Sequence, residues 1–246
     1  MHVICERRLC SVLKKKVKFA AAAVVFALLI ILCHQGAEKL RRQIEAGRAV
    51  SGTGTAVRNT NLVVLDAGHG GIDAGKTGAN GAEEKEINLK IAMIIKEILE
   101  EADVEVIMTR TDDQRLADTQ VEDLKKRTEI MNEANAVLAV SIHQNSYHEE
   151  SVHGGQVFYY TDSAEGKTAA EMIQNSLRTI DPENTKEAKA NHTYYILKRT
   201  KVPVVIAECG FLSNYAEAEK LASEEYQREV AEAVAEGILQ YIESTR

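Results

Sequence analysis

The chain has little cysteine where cysteine would matter. Of its four cysteines, Cys5, Cys10 and Cys33 sit in the first 33 residues, and only Cys209 lies in the body that follows. No disulfide can close within that body, so its fold must rest on a hydrophobic core. Basic charge is scarce there too. The first 18 residues carry six basic side chains against one acid, a charge of +5, so the overall −7 leaves −12 on everything after them. Nucleic-acid binding needs clustered Lys and Arg to neutralise phosphates, and this acidic body excludes such a partner. Internal repeats are lacking, and the one low-complexity tract is the short stretch Ser51-Gly52-Thr53-Gly54-Thr55.

One long uncharged run is present, from Phe19 to Cys33, directly after the basic segment 1–18. Its 15 residues would span roughly 22 Å as a helix, short of a hydrocarbon core of about 30 Å. Basic flank and apolar run together predict a signal anchor or signal peptide with its basic end in the cytoplasm. A pair of small residues one and three positions before a scissile bond is lacking between Cys33 and Ala37, which favours a retained anchor. Residues 34–60 then read as a stalk, ending in small polar residues that cannot build a core. Residues 61–246 number 186, enough for one domain that buries roughly 70% of its unfolded surface. That domain is expected outside the cytoplasm, membrane-anchored or secreted.

From Asn61 onward short apolar runs alternate with helix-period runs, the pattern of a single α/β domain with a mostly parallel, six-stranded sheet and helices on both faces. The predicted strands are Leu62–Asp66, Val104–Thr109, Ala136–Ile142, Gln156–Tyr160, Tyr194–Leu197 and Val204–Glu208. Helical spacing links Ile87, Ile91, Ile94, Ile95 and Ile98, then Val121, Leu124, Thr128 and Met131, then Ala170, Ile173, Leu177 and Ile180. A fourth helix is expected after Asn214, which with Glu217 resembles a capping box, and carries Val230, Val234 and Ile238 on one face.

Ligands of such sheets bind beyond the carboxyl ends of the strands, and His69, His143 and Glu208 are all expected there. Two histidines with carboxylates at strand ends are the parts of a catalytic zinc site, which takes three protein ligands and keeps one position open. A competing motif overlaps the first histidine. Gly70-Gly71-Ile72-Asp73-Ala74-Gly75-Lys76-Thr77 fits the phosphate-loop pattern G-x-x-x-x-G-K-[ST]. A working phosphate loop opens straight into a helix, whereas Gly78-Ala79-Asn80-Gly81 keeps this chain irregular, so the nucleotide reading is set aside.

Five motifs in order carry a resemblance: Leu65-Asp66-Ala67-Gly68-His69-Gly70-Gly71, Asn80 to Leu89, Thr109-Arg110-Thr111-Asp112, Ser141-Ile142-His143-Gln144-Asn145 and Glu208 to Asn214. Across residues 61–242 the chain resembles the zinc-dependent N-acetylmuramoyl-L-alanine amidases of bacterial cell walls. The resemblance implies a mixed-sheet α/β fold and hydrolysis of the amide between the muramic lactyl group and the first L-alanine of the peptidoglycan stem peptide. It implies zinc held by His69, Glu84 and His143, with Glu208 as the catalytic carboxylate that moves the proton from attacking water to the departing alanine nitrogen. Glu84 is chosen by the register Glu84-Lys85-Glu86-Ile87-Asn88-Leu89, and Glu83 is the alternative.

Arranged as anchor, stalk and catalytic domain, and with Ser141-Ile142-His143-Gln144-Asn145-Ser146 followed by Val152-His153-Gly154-Gly155-Gln156-Val157-Phe158-Tyr159-Tyr160, the chain further resembles the spore-cortex, germination-specific branch, acting between the membranes of the developing spore. There stem peptides are removed so that a separate deacetylase completes the muramic δ-lactam, and an accessory protein is an expected partner. The rival readings are another zinc hydrolase of the wall, a peptidase or sugar deacetylase, and a catalytically silent wall-binding domain.

The remaining polar residues draw plainer readings. His148, His153 and His192 are expected to hydrogen-bond in loops, Lys85 and Asn88 to be structural, and Cys209 to be a small buried hydrophobe. Asp66 and Asn145 are expected either to steady an imidazole or to serve in turns. Arg110 and Arg127 could hold a substrate carboxylate, but a structural ion pair is favoured. Tyr159, Tyr160, Tyr194 and Tyr195 could stack on sugars, with packing at an edge strand preferred.

Overall fold

Runs such as Leu62-Val63-Val64-Leu65 and Val204-Val205-Ile206-Ala207 have too many consecutive apolar residues for a surface strand, and each forms a strand buried on both faces. The computed structural model describes residues 58–246. The basic segment, the apolar run Phe19–Cys33 and the stalk up to residue 57 lie outside the described residues. Among the described residues no helix is long and apolar enough to cross a membrane.

Six strands, β1 (Asn59–Ala67), β2 (Glu105–Met108), β3 (Ala136–Asn145), β4 (Gln156–Tyr160), β5 (Lys189–Asn191) and β6 (Val204–Phe211), form one sheet in the order β2-β1-β3-β6-β4-β5. All neighbours are parallel except β4 and β6, which run antiparallel, so the sheet is mixed as expected. Among the described residues six helices accompany it: α1 (Glu84–Glu101), α2 (Gln120–Ala134), α3 (Ala164–Ile180), α4 (Tyr195–Arg199), α5 (Tyr215–Ala222) and α6 (Glu224–Ser244). Alternation along the strands serves two layers. Val63, Leu65, Val140, Ile142, Val205 and Ala207 pack under α1, α3, α5 and α6, while Leu62, Val64, Ala139, Val204 and Ile206 pack under α2 and α4.

Three expectations need correction. The predicted strand Tyr194–Leu197 is instead the start of helix α4, and the strand lies earlier, at Lys189–Asn191. The Asn191 side chain accepts hydrogen bonds from the backbone N–H groups of Thr193 and Tyr194 at 2.7 and 2.9 Å, and this turn redirects the chain into α4. Ile196 and Leu197 are then both buried on one side of a helix, which imitates a short strand run. The helix after Asn214 is two helices, parted at Ser223, whose side chain caps the second by accepting from the Tyr226 N–H. Asn214 does cap the first, accepting from Glu217 N–H at 2.9 Å, but the Glu217 carboxylate does not close a capping box. It accepts instead from the N–H groups of Gly154 and Phe211 at 2.9 and 2.8 Å, tying the loop before β4 to the end of β6.

The third correction concerns strand ends. β3 runs to Asn145 and β6 to Phe211, so His143 and Glu208 lie within their strands rather than beyond them. The register slips between His143 and Asn145, so that the one-residue gap on β3 faces a two-residue gap on β6. Such a bulge re-aims side chains beside a site. Only His69 sits in a true loop, between β1 and α1, and β1, β3 and β6 are successive in the middle of the sheet. The three motifs therefore converge.

Candidate metal centre

β1 ends at Ala67, and the chain turns through His69 with φ of 63°, a left-handed conformation uncommon outside glycine. The turn brings the His69 imidazole back toward the start of α1. Nδ1 lies 3.0 Å from Asp73 Oδ2, and Nε2 lies 3.3 Å from Glu84 Oε2. From β3, His143 places Nδ1 3.0 Å from the other oxygen, Glu84 Oε1. The two rings meet edge to face, with centroids 4.9 Å apart and planes at 79°.

Glu84 is the hub of this arrangement. It opens α1, where a carboxylate is favoured by the free N–H groups and the helix dipole. Besides the two imidazoles it accepts from Lys76 N–H at 2.8 Å, Gln144 N–H at 3.0 Å and Asn88 Nδ2 at 3.3 Å. Burial works to raise its pKa, but the hydrogen bonds and charges of His143 and His69 outweigh it and hold the carboxylate well below its usual range. Burial likewise works to lower His69, and Glu84 with Asp73 overrides it, lifting the imidazole to about 9. The cluster calls for positive charge.

A divalent cation fits that demand. One atom from each of His69, Glu84 and His143 lies within 4.8 Å of the others, and two imidazole nitrogens with one carboxylate oxygen form a donor set that zinc accepts. Glycine keeps the cradle open at two points. A Cβ at Gly75 would come within 2.6 Å of Glu84 Oε2 and 2.7 Å of the His69 ring, and one at Gly68 would collide with the His143 imidazole. Both imidazoles remain 20% exposed while Glu84 is only 4% exposed, so the cluster has an open side.

Glu208 stands on β6 in register with His143. It is buried, and its Oε2 has no hydrogen-bond partner within the described chain. Burial, helped by the charge of Glu84 and opposed by His143 and His69, raises its pKa to about 7. An uncommitted carboxyl that titrates near neutrality can both take and give a proton. Next to it, Cys209 is buried, and burial pushes its thiol far above the ordinary range, so it packs as a hydrophobe and is no nucleophile.

Among the other residues singled out from the sequence, Glu83 lies apart from the cluster, 42% exposed and 3.3 Å from Lys85 Nζ. His148 stacks on Tyr147 at the surface, His153 is 4.0 Å from Asp181, and His192 is exposed, so none joins the cluster. Asn145 accepts from Ser146 N–H, a turn role. The tyrosines do not line an edge strand: Tyr159 and Tyr160 are on β4, flanked on both sides, Tyr195 opens α4, and Tyr194 precedes it with its ring edge-on to Phe158 at 5.6 Å. Arg110 and Arg127 are buried in the scaffold rather than offered to a substrate, Arg127 with Asp66 and Asp123 and Arg110 among backbone carbonyls.

Sequence reasoning missed Asp73 and Gln144. Asp73 reaches His69 only through the loop's turn, which spacing does not reveal. Asn88, read as structural, lies four residues after Glu84 on one helix face and bridges it to Gly68 O at 3.2 Å and Gln144 Nε2 at 3.2 Å. That i,i+4 relation was available in the sequence.

The comparisons with known proteins agree with this geometry. The family model described as N-acetylmuramoyl-L-alanine amidase matches residues 63–240. A germination-specific N-acetylmuramoyl-L-alanine amidase of Bacillus subtilis (strain 168) is 37% identical over 188 residues, 73% of this chain and 79% of that protein. Among solved structures, the CwlD amidase from Clostridioides difficile in complex with the GerS lipoprotein aligns at 37% identity and a TM-score of 0.72, covering 75% of this chain and 99% of that one. An N-acetylmuramoyl-L-alanine amidase from Clostridium difficile 630 aligns at 29% identity and a TM-score of 0.70, covering 76% and 100%. The chain belongs to the N-acetylmuramoyl-L-alanine amidase family, enzymes that cleave the amide between muramic acid and the first L-alanine of peptidoglycan.

Proposed function

We propose that His69, Glu84 and His143 hold a zinc ion and that Glu208 is the catalytic carboxylate of peptidoglycan amide hydrolysis. The observation that carries this reading is the unpartnered Glu208 Oε2, buried beside a cluster of two imidazoles and a carboxylate. Bound there, zinc supplies Lewis acidity toward the amide carbonyl and eases deprotonation of water. Glu208, as carboxylate, takes a proton from the attacking water as its oxygen adds to the lactyl carbonyl carbon. It then delivers that proton to the alanine nitrogen as the C–N bond breaks. An amine departs poorly unless protonated, so the second transfer is as necessary as the first. The products are a muramic lactyl carboxylate and a stem peptide with a free N-terminal L-alanine.

The biological setting proposed is the spore cortex and germination. Support comes from the germination-specific relative of Bacillus subtilis and from the CwlD structure. Removing the stem peptide there frees the muramic carboxyl, and a separate deacetylase then allows the δ-lactam to close. The basic segment and the apolar run Phe19–Cys33 support an extracytoplasmic enzyme anchored to the membrane or secreted, borne on the stalk up to residue 60 and the catalytic domain 61–246. The GerS lipoprotein in the CwlD complex supports an accessory protein for this chain as well.

Digestion of purified cortex and vegetative peptidoglycan with the full-length chain, followed by mass analysis of released fragments, tests both reaction and substrate. Free stem peptides beginning with L-alanine, released faster from cortex, are expected. Cleavage within the peptide, or release of acetate, would assign the site to a peptidase or a deacetylase.

A further inference from the structure

The inner face of α2 is charged where an apolar stripe is usual: its buried residues are Asp123, Arg127, Thr128 and Met131. Arg127 is among the largest fully buried side chains of the described residues. Its guanidinium reaches the end of β1 and the loop that carries His69. Nε donates to Asp123 Oδ2 at 2.6 Å, Nη1 donates to Asp66 Oδ1 and to Ala67 O at 2.7 Å each, and Nη2 donates to His69 O at 2.7 Å. Asp66 is itself pinned by the hydroxyls of Thr109 and Ser141 at 2.6 and 2.5 Å.

His69 holds a left-handed φ without the freedom of glycine, and such a residue keeps that conformation only where its surroundings impose it. Asp73 and Glu84 grip the imidazole, but a ring can be gripped only after the backbone has delivered its Cβ. Arg127 fixes that backbone. It binds the carbonyls on either side of Gly68, while Arg110 Nη2 and Asn88 Nδ2 bind the Gly68 carbonyl itself at 3.0 and 3.2 Å. Three consecutive carbonyls are thereby turned inward, and the His69 side chain is left facing Glu84.

We infer that Arg127 is a positioning residue for the metal centre: its planar fork, anchored on Asp66 and Asp123, sets the His69 backbone and so aims the imidazole. The inference rests on the proposal that His69 is a metal ligand. Lysine would keep the charge beside Asp66, but its single ammonium cannot span Asp123, Asp66 and the His69 carbonyl together.

The test is zinc titration of the full-length chain, with kcat and KM measured at saturating zinc. Arg127→Lys is expected to weaken zinc binding by about 10–100-fold, the range for residues that orient a ligand, and to lower kcat with KM little changed. Ile238→Val, a core change in the layer on the other face of the sheet, should lower the melting temperature while zinc affinity holds. Wild-type zinc affinity in folded Arg127→Lys, or an equal loss of affinity in Ile238→Val, would overturn the inference by reducing Arg127 to general stability. If the lysine variant does not fold, the charge-neutral pair Arg127→Met with Asp66→Asn carries the same two outcomes. Failure of the wild-type chain to take up zinc would instead defeat the ligand assignment, which separates the two ideas.

Discussion

His143 and Glu208 are register partners on the neighbouring parallel strands β3 and β6. Register partners lie roughly 4.8 Å apart and point to the same face of a sheet, so an imidazole of the metal cluster and the proton-carrying carboxyl are held by backbone hydrogen bonds in the middle of the sheet. Rigidity comes from the strands and reach comes from the loop holding His69.

Gly68→Ala should disable the centre while sparing the fold. The added Cβ would collide with the His143 imidazole, which has to move, and overpacking of this kind costs about 1–3 kcal/mol. Zinc binding should weaken by at least about ten-fold, the lower end for a disturbed ligand shell, with the circular dichroism spectrum unchanged. Unaltered zinc affinity would show that His143 is free to move without consequence.

Acid should unfold the domain partly through Asp66. Burial alone would raise its pKa, but Arg127, Ser141 and Thr109 outweigh burial and hold it below the ordinary 3.8. A carboxyl depressed in the folded state contributes stability that is present above its unfolded pKa and lost as pH falls through the folded one. Melting temperature should therefore drop steeply below about pH 4, while Asp66→Asn, already weaker at neutral pH by about 3 kcal/mol, should show a shallower acid slope. Parallel curves for the two proteins would remove Asp66 from the acid response.

Zinc should lower the pKa of Glu208. In the metal-free chain burial raises this carboxyl to about 7, and a nearby cation favours its charged form. Carboxyl carbon NMR, assigned with Glu208→Gln, should find a titration near 7 without metal and a lower one with it. The acid limb of kcat/KM against pH should then fall at or below that value. An unmoved titration would place Glu208 too far from the metal to act on the same amide.

Much of this fold was legible because burial wrote it in apolar runs. β1, β3 and β6 are near-continuous hydrophobic stretches, and Ile87, Ile91 and Ile95 do face the core. β5 was not, since Lys-Ala-Asn is polar and is ordered by backbone pairing with β4, which leaves no mark in side-chain chemistry. α2 misled in a different way. Its buried stripe holds Asp123 and Arg127, whereas Val121, predicted to face inward, is 60% exposed. In the site, His69 and His143 stood out because each follows an apolar strand. Asp73, the Gln144 N–H and the Arg127 fork were invisible, because each depends on how a loop closes in space.

The most direct measurement pairs zinc content with turnover in Glu208→Gln. The variant keeps size and shape but cannot carry the proton, so it should bind about one zinc per chain with unchanged affinity while release of L-alanine-ended stem peptides falls by about 10²–10⁴-fold or more. Near-normal turnover in that variant, or full activity of wild-type chain stripped of metal by a chelator, would contradict a mechanism built on His69, Glu84, His143 and Glu208.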